Sequence, residues 1–198
     1  APASLQSLAG DSDNFYYLAE GTIGKINPTT LKFYDPQDTK IGDSRISGNH
    51  LILGETDGNG ELDIIYSDST TVGIIRNINQ EQNINSINSN PISGVSLSDI
   101  DDDGRAEILV STLDGNLLAY NSKLIPENNF PVKIAKKSMN PPLSFNLNNR
   151  PGNDFLQLSQ DGEVYGIDYQ GTYIDGLPLA TGLAKPDNSL LVNTDAGV

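Results

Sequence analysis

The stretch DIDDDGRAEILV, residues 99–110, is an acidic loop that runs directly into an apolar strand. A calcium ion takes about six to eight oxygen ligands in a flexible geometry. Here oxygen donors fall at loop positions 1, 3, 5, 7 and 9, which are Asp99, Asp101, Asp103, Arg105 (through its backbone carbonyl) and Glu107. Gly104 at position 6 permits the sharp turn that such a loop needs. The stretch therefore predicts a calcium-binding loop followed by a β-strand.

The loop differs from the helix–loop–helix calcium hand at its end. That motif requires Glu at position 12, where this chain has Val110. The apolar run after Glu107 favours a strand instead. Without a cation the clustered carboxylates would repel one another, which disfavours a merely solvated acidic turn. Magnesium fits less well because it keeps its water and prefers a rigid octahedral geometry.

The same spacing occurs 44 residues earlier and, in a degraded form, 47 residues later. The earlier copy has its oxygen donors in Glu55, Asp57, Asn59, Glu61 (through its carbonyl) and Asp63. The later copy has Asn146, Asn148, Arg150 and Asp154 at positions 1, 3, 5 and 9. Arg150 would bring a positive charge to the place of the ion. We therefore expect about two calcium sites, one in each of the first two copies.

Each loop is followed by a short apolar strand, and Asp114-Gly115 and Asp161-Gly162 then mark a turn at the same offset. A period in the forties that is carried by strands is typical of β-propeller blades or a β-solenoid. On these residues the chain resembles the FG-GAP/VCBS repeat family, the integrin-α-like β-propellers, whose hallmark is a D-x-D-x-D-G-x-x-D loop. The resemblance is strongest over residues 45–180. It implies a calcium-stabilised propeller on an extracellular or cell-surface protein, and it implies no reaction.

The predicted fold is all-β, a β-propeller of four-stranded antiparallel blades without helices. The approximate blades are residues 1–44, 45–91, 92–138 and 139–180, with the start of a further blade at 181–198. We place the first blade's strands at 15–19, 22–27 and 31–34, and the last two of the fourth blade at 163–168 and 172–178. We expect about four blades of a larger propeller protein. Four blades that close with irregular pairing are the alternative.

Composition narrows the function classes. With 198 residues the chain fits a single domain. Its net charge of −14 argues against nucleic-acid binding, which needs clustered Lys and Arg. The absence of cysteine removes disulfides and thiol chemistry, so calcium would be the stabilising element of a secreted protein. No apolar run is long enough to span a membrane. We expect an extracellular, secreted or cell-surface location.

The expected function is a non-catalytic, calcium-stabilised module with a structural, adhesive or protein-interaction role. Its partner would be an unknown protein or glycan, or further blades or domains of the same polypeptide. The single histidine, His50, has no neighbours in sequence that would make it a general base. One alternative is the propeller part of a carbohydrate-active enzyme of the polysaccharide-lyase kind. A lectin-like glycan binder that uses strand tyrosines is the other, and the candidates are Tyr16, Tyr17, Tyr120, Tyr165, Tyr169 and Tyr173.

Overall fold

The structure of the protein is a computed structural model that describes residues 5–10, 15–19, 22–26, 50–76, 83–88, 90–134, 137–138, 140–147 and 150–182. Throughout these ranges the regular elements are β-strands. They form four separate antiparallel sheets, which we number one to four along the chain. No helix of the described ranges has the length and apolar character needed to cross a bilayer. The prediction of an all-β chain is thus confirmed for this part.

Sheets one and two are simple meanders. Sheet one contains β1 (Leu5–Gly10), β2 (Phe15–Ala19) and β3 (Thr22–Ile26), in that order. Sheet two contains β4 (His50–Gly54), β5 (Asp63–Ser67), β6 (Thr71–Arg76) and β7 (Asn83–Asn88). Strand β5 is buried along its whole length. Its β-branched residues suit a position between two other strands with both faces covered.

Sheets three and four repeat this arrangement. Sheet three contains β8 (Ile92–Ser98), β9 (Glu107–Thr112), β10 (Asn116–Tyr120) and β11 (Val132–Lys133). Sheet four contains β12 (Leu143–Phe145), β13 (Asp154–Leu158), β14 (Glu163–Ile167) and β15 (Leu179–Ala180). In both sheets, as in sheet two, the acidic loop or its degraded copy joins the first strand to the second.

The chain divides into two compact units, each with its own core. One unit contains Ala1–Ser89 and Ser122–Leu124, and the other contains Asn90–Asn121 and Ile125–Val198. The core of the first unit is formed by Tyr16, Leu18, Ile23, Leu51, Ile64, Tyr66 and Ile75. The core of the second is formed by Ile100, Leu109, Leu117, Ala119, Val132, Ile134, Phe155, Tyr165 and Ile167. Each large apolar side chain buried in this way contributes about 1.5–3 kcal/mol to stability.

Two strand predictions were wrong or incomplete. Leu5–Gly10 was not predicted as a strand, although it pairs with β2 along its length. The range 172–178 was predicted as a strand, but it holds a single bridge between Ile167 and Tyr173, and the pairing resumes only in β15. The reason is local, since Gly176 has φ of +85° and Pro178 has no N–H to donate. The predicted strand at 31–34 and the predicted further blade at 181–198 lie outside the described residues, except for 181 and 182.

Candidate functional site

The loop that joins β8 to β9 brings three of its predicted ligands together. One carboxylate oxygen each of Asp99, Asp101 and Glu107 lies within 4.8 Å of the other two. Calcium–oxygen bonds of about 2.3–2.6 Å place two ligands of one ion at most about 5 Å apart. The three oxygens therefore fit a common cation of this kind. Asp103 and Arg105 are outside this group, and they stay predicted ligands.

Hydrogen bonds within the loop wrap its backbone around Asp99. The Asp99 carboxylate accepts hydrogen bonds from the backbone N–H of Asp103 at 3.1 Å and of Gly104 at 2.8 Å. Asp103 in turn accepts one from the N–H of Arg105 at 2.9 Å. Gly104 has φ of +85°, a conformation that a side chain would strain. The loop is thus shaped by hydrogen bonds to its own short side chains.

Glu107 is the buried member of the group, with 6% of its surface exposed. Burial raises the pKa of its carboxyl group from 4.5 to about 7, and the negative charges of Asp101, Asp103 and Glu127 act in the same direction. A hydrogen bond of 2.9 Å from the backbone N–H of Ile100 opposes the shift. An ionised carboxylate in this place needs a compensating positive charge, which a cation would supply.

The sequence analysis missed Glu127, an acidic residue next to the loop. Glu127 lies in the loop between β10 and β11, and its backbone N–H donates to the carbonyl of Ala119 at 2.9 Å. Burial raises its pKa, and the charges of Asp101 and Asp103 raise it further. Glu127 comes from a different connection of the same sheet, so the ligand spacing of residues 99–107 carries no signal for it. It adds negative potential to the site.

One hydrogen bond recurs in all three acidic loops. The carboxylate at position 9 accepts the backbone N–H of position 2: Glu107 from Ile100 at 2.9 Å, Asp63 from Thr56 at 3.2 Å, and Asp154 from Leu147 at 3.1 Å. All three carboxylates are buried at the start of a central strand. The bond closes the loop in the degraded copy as well. An acid at position 9 therefore has a structural role that requires no metal.

The loop of residues 55–63 is arranged differently from the loop of residues 99–107. Within this fully described segment, no three carboxylates converge as they do around Asp101. Glu55 instead accepts hydrogen bonds from the backbone N–H groups of Asp57, Gly58 and Asn59 at 3.0, 2.5 and 3.1 Å. Burial alone would raise its pKa, but these bonds, led by that from Gly58, lower it. One oxygen of the predicted ligand at position 1, Oε1, thus accepts all three backbone N–H groups of its own loop.

Other predicted ligands of this loop also contact its backbone. Asp57 accepts from the N–H of Asn59 at 3.2 Å, and Asn59 accepts from the N–H of Glu61 at 2.6 Å. Asp63 is fully buried, and its Oδ2 accepts from both the N–H and the hydroxyl of Thr56. Its Oδ1 has no hydrogen-bond partner. Burial raises the pKa of Asp63, and a cation would satisfy the orphaned oxygen.

The degraded loop contains no cluster of converging carboxylates among its described residues, and it borders a cavity. The side chain of Asn146 donates to the carbonyl of Arg150 at 2.7 Å, and Asn148 lies outside the described residues. A cavity of about 370 Å³ is lined by Leu147, Arg150, Asp168, Thr172, Tyr173, Ile174 and Asp175. Arg150, which stands at position 5 where the best loop has an acid, thus lines a polar cavity.

The candidate tyrosines and the single histidine differ in their exposure to solvent. Tyr16, Tyr17, Tyr120 and Tyr165 are buried in the sheets, as blade-packing aromatics would be. Tyr173 is 45% exposed and lies at the cavity. His50 is exposed at the first position of β4.

Comparisons with known proteins bear on the fold. No protein-family model matches the chain, and no curated protein matches it. Among solved structures, it is similar to BBS1N in complex with ARL6DN, with 13% identity and a TM-score of 0.62 over 86% of this chain and 50% of that one. AztD from Citrobacter koseri matches with 14% identity and a TM-score of 0.62 over 86% and 46%. The WD40 domain of Neurospora crassa Pan2 matches with 13% identity and a TM-score of 0.58 over 87% and 49%.

These neighbours are β-propellers. At such low identity they establish the fold alone: the chain is a β-propeller chain with four-stranded antiparallel blades, as its sheets two, three and four show. The chain spans about half the length of each of these structures.

Proposed function

We propose that the chain is a non-catalytic, calcium-stabilised β-propeller module of an extracellular or cell-surface protein, with a structural, adhesive or protein-interaction role. The observation that carries the proposal is the convergence of Asp99, Asp101 and Glu107 within 4.8 Å. The repeat spacing that the chain shares with the FG-GAP/VCBS family supports the same interpretation. Calcium is abundant outside cells, where a loop of this kind would be loaded even at an affinity of about 10⁻⁴–10⁻³ M.

The residues that would hold the ion are those of the loop of residues 99–107. When bound, calcium supplies positive charge to the buried carboxylate of Glu107 and to its neighbours. That charge offsets the repulsion among the acids and the entropy lost when the loop is ordered. The loop of residues 55–63 is a second, weaker site in this proposal, supported by the orphaned Oδ1 of Asp63. A protein partner would bind the stiffened loops or the sheet edges beside them.

Calcium is expected to raise the melting temperature by about 5–10 °C at 100 times its Kd, because binding to the folded state alone adds about 2.7 kcal/mol. Magnesium should raise it less. Differential scanning calorimetry in calcium, magnesium and chelator tests this expectation. Identical melting curves in calcium and in chelator would reject the proposed function.

A matched pair of variants locates the site. Asp101→Asn is expected to weaken calcium binding about tenfold, since it removes one charge from the converging group. Asp102→Asn makes the same chemical change at an exposed neighbour with φ of +64°, which Asn tolerates. Isothermal titration calorimetry should show little change for Asp102→Asn. Equal losses in both variants would mean that only the general charge of the loop matters.

A second candidate function is glycan binding, which the cavity beside Arg150 favours. Tyr173 presents a half-exposed ring there, and its hydroxyl donates to the carbonyl of Lys133, which fixes the ring's position. Arg150, Asp168 and Asp175 offer hydrogen-bond donors and acceptors for sugar hydroxyls. This arrangement suits a lectin-like site and equally the substrate-binding part of a carbohydrate-active enzyme.

Glycan-array screening separates the two candidates, because a purely structural module should give no binding above background. If glycans bind, Tyr173→Ala is expected to reduce the affinity about tenfold through the lost ring contact. Gln160→Ala, at an exposed position outside the cavity lining, is the control. Glycan binding that Tyr173→Ala leaves unchanged would place the glycan elsewhere on the protein.

A further inference from the structure

Sheet four holds the calcium loop of sheet three through one asparagine. Asn153 lies just before β13, and its side-chain amide donates to the backbone carbonyl of Asp99 at 2.8 Å and to the hydroxyl of Ser98 at 3.2 Å. Its backbone N–H donates to the carbonyl of Ile100 at 3.3 Å. Three donations from one residue thus reach the first two positions of the loop and the residue before them.

The neighbouring Gly152 keeps this contact close. A Cβ atom on Gly152 would lie 2.4 Å from the carbonyl oxygen of Ile100, which no side chain tolerates. Gly152 also has φ of +83°. The two backbones therefore approach each other at a position that only glycine can occupy, and Asn153 follows directly.

The contacted residues are those that orient the ligand group. Ile100 stands between Asp99 and Asp101, and its N–H donates to Glu107 while its carbonyl accepts from Asn153. Its side chain is 4% exposed and belongs to the second unit's core. A shift of Ile100 would therefore move all three converging carboxylates relative to one another.

Among the three acidic loops, only the one in sheet four has a side chain at this position that can donate such hydrogen bonds. In the other two loops, the residue that corresponds to Asn153 is Ala106 or Leu62, and neither side chain has a hydrogen-bond donor. Two further bonds join the same sheets: Ser96 donates to the carbonyl of Pro142 at 2.8 Å, and the hydroxyls of Ser98 and Ser144 lie 2.5 Å apart. These hydrogen bonds form a row of polar contacts between sheets three and four. Asn153 makes the contacts of this row that reach the loop.

We infer that Asn153 is a positioning residue for the cation site, and that through it calcium binding and the docking of sheet four on sheet three stabilise each other. This inference rests on the proposed calcium site. If ordering of the loop favours its contact with Asn153, then the contact must favour the ion by the same factor, because coupling between two equilibria is reciprocal. Loss of a residue that orients ligands typically lowers metal affinity about 10–100-fold.

Asn153→Ala is expected to reduce calcium affinity about tenfold in isothermal titration calorimetry. Asn90→Ala is the matched control, because the Asn90 amide bonds Asp114 in an exposed turn of the same unit. A second measurement follows amide hydrogen exchange in Asp154–Leu158 with calcium and with chelator. Calcium should slow this exchange in the wild-type protein and should slow it much less in Asn153→Ala.

The outcomes separate the two proposals. A wild-type protein that binds no calcium rejects the proposed function. Wild-type binding with unchanged affinity and unchanged calcium-dependent protection in Asn153→Ala rejects the positioning role, even if that variant is less stable in chelator. If Asn153→Ala does not fold, Asn153→Ser takes its place, since serine keeps a polar side chain that is shorter than that of asparagine. It should show the same loss of calcium affinity, and an affinity equal to wild type would overturn the inference.

Discussion

Glu107→Gln is expected to stabilise the cation-free protein near pH 7.5 while it weakens calcium binding. Burial raises the pKa of Glu107 from 4.5 to about 7. Between these values the folded protein holds a proton that the unfolded chain has released, so its free energy of unfolding falls as the pH rises from about 4.5 to about 7. Glutamine has no proton to lose, and its amide oxygen still accepts from the N–H of Ile100. The gain is at most about 3 kcal/mol.

Urea unfolding in chelator measures this effect. The difference in the free energy of unfolding between Glu107→Gln and wild type should be small at pH 4.5, grow through pH 7 and then level off. Glu61→Gln makes the same change at an exposed position of the other acidic loop and should follow wild type at each pH. Parallel pH profiles for wild type and Glu107→Gln would show that Glu107 is not the group that titrates.

Calcium affinity should rise with pH, whereas the stability of the cation-free wild-type protein should fall. In wild type, one proton on Glu107 competes with the ion, so the affinity should fall about 20-fold between pH 7.5 and 5.5. Glu107→Gln should lower the affinity at pH 7.5 by about 10–100-fold and flatten the profile. A residual slope is expected, because the pKa values of Glu127 and Asp63 are also raised. Titration calorimetry at several pH values checks both expectations, and an unchanged slope in the variant would contradict them.

Local spacing was enough to predict the fold and to single out three acids that the structure brings together. The repeated acidic loops and apolar strands predicted four-stranded sheets, because turn residues and strand residues act over a few positions. The converging group around Asp101 follows from the same short-range pattern. Glu127 could not be predicted, because it reaches the site only after the loop behind β10 has folded back onto Ala119.

The loop of residues 55–63 shows a second limit of sequence spacing. A carboxylate at position 9 serves equally as a metal ligand and as an acceptor for the N–H of position 2, so Asp63 and Asp154 satisfy the pattern in either role. At position 1, Glu55 has the same charge as Asp99, but its longer side chain accepts three backbone N–H groups of its own loop. Asp99 also accepts two backbone N–H groups, but one of its oxygens lies with those of Asp101 and Glu107, so bracing the loop does not by itself decide which acid joins a converging group.

Gly73→Ala is expected to destabilise sheet two by about 3 kcal/mol, the upper range for an overpacked core. Gly73 lies in β6 directly opposite Tyr66 of β5. A Cβ atom there would lie 2.1 Å from the Cζ and 2.3 Å from the Oη of Tyr66. The ring is 6% exposed and belongs to the first unit's core, so it has little room to move aside.

Gly60→Ala separates this steric cost from the general cost of replacing glycine. Gly60 has φ of +79°, and no atom lies within 4 Å of the place that an alanine methyl group would take, so alanine there should cost only about 1 kcal/mol of backbone strain. Urea unfolding followed by circular dichroism compares the two variants. In a Tyr66→Leu background the ring is gone, and Gly73→Ala should then cost at least about 1 kcal/mol less than in wild type.

Additive losses in that double mutant would mean that the ring is not what excludes the methyl group. Coupled losses would have a wider meaning, because Tyr17 lies opposite Gly24 in sheet one in the same way, with a Cβ distance of 2.4 Å. The tyrosine ring over a glycine is then a repeated packing unit of the first two sheets. In sheets three and four the corresponding positions of the third strand hold Leu118 and Tyr165, which lie opposite Val110 and Gln157, so neither of these sheets has the tyrosine–glycine pair. Gly166, the residue after Tyr165, is a separate close-packing position, because a Cβ atom there would lie 2.1 Å from the Cδ1 of Leu177.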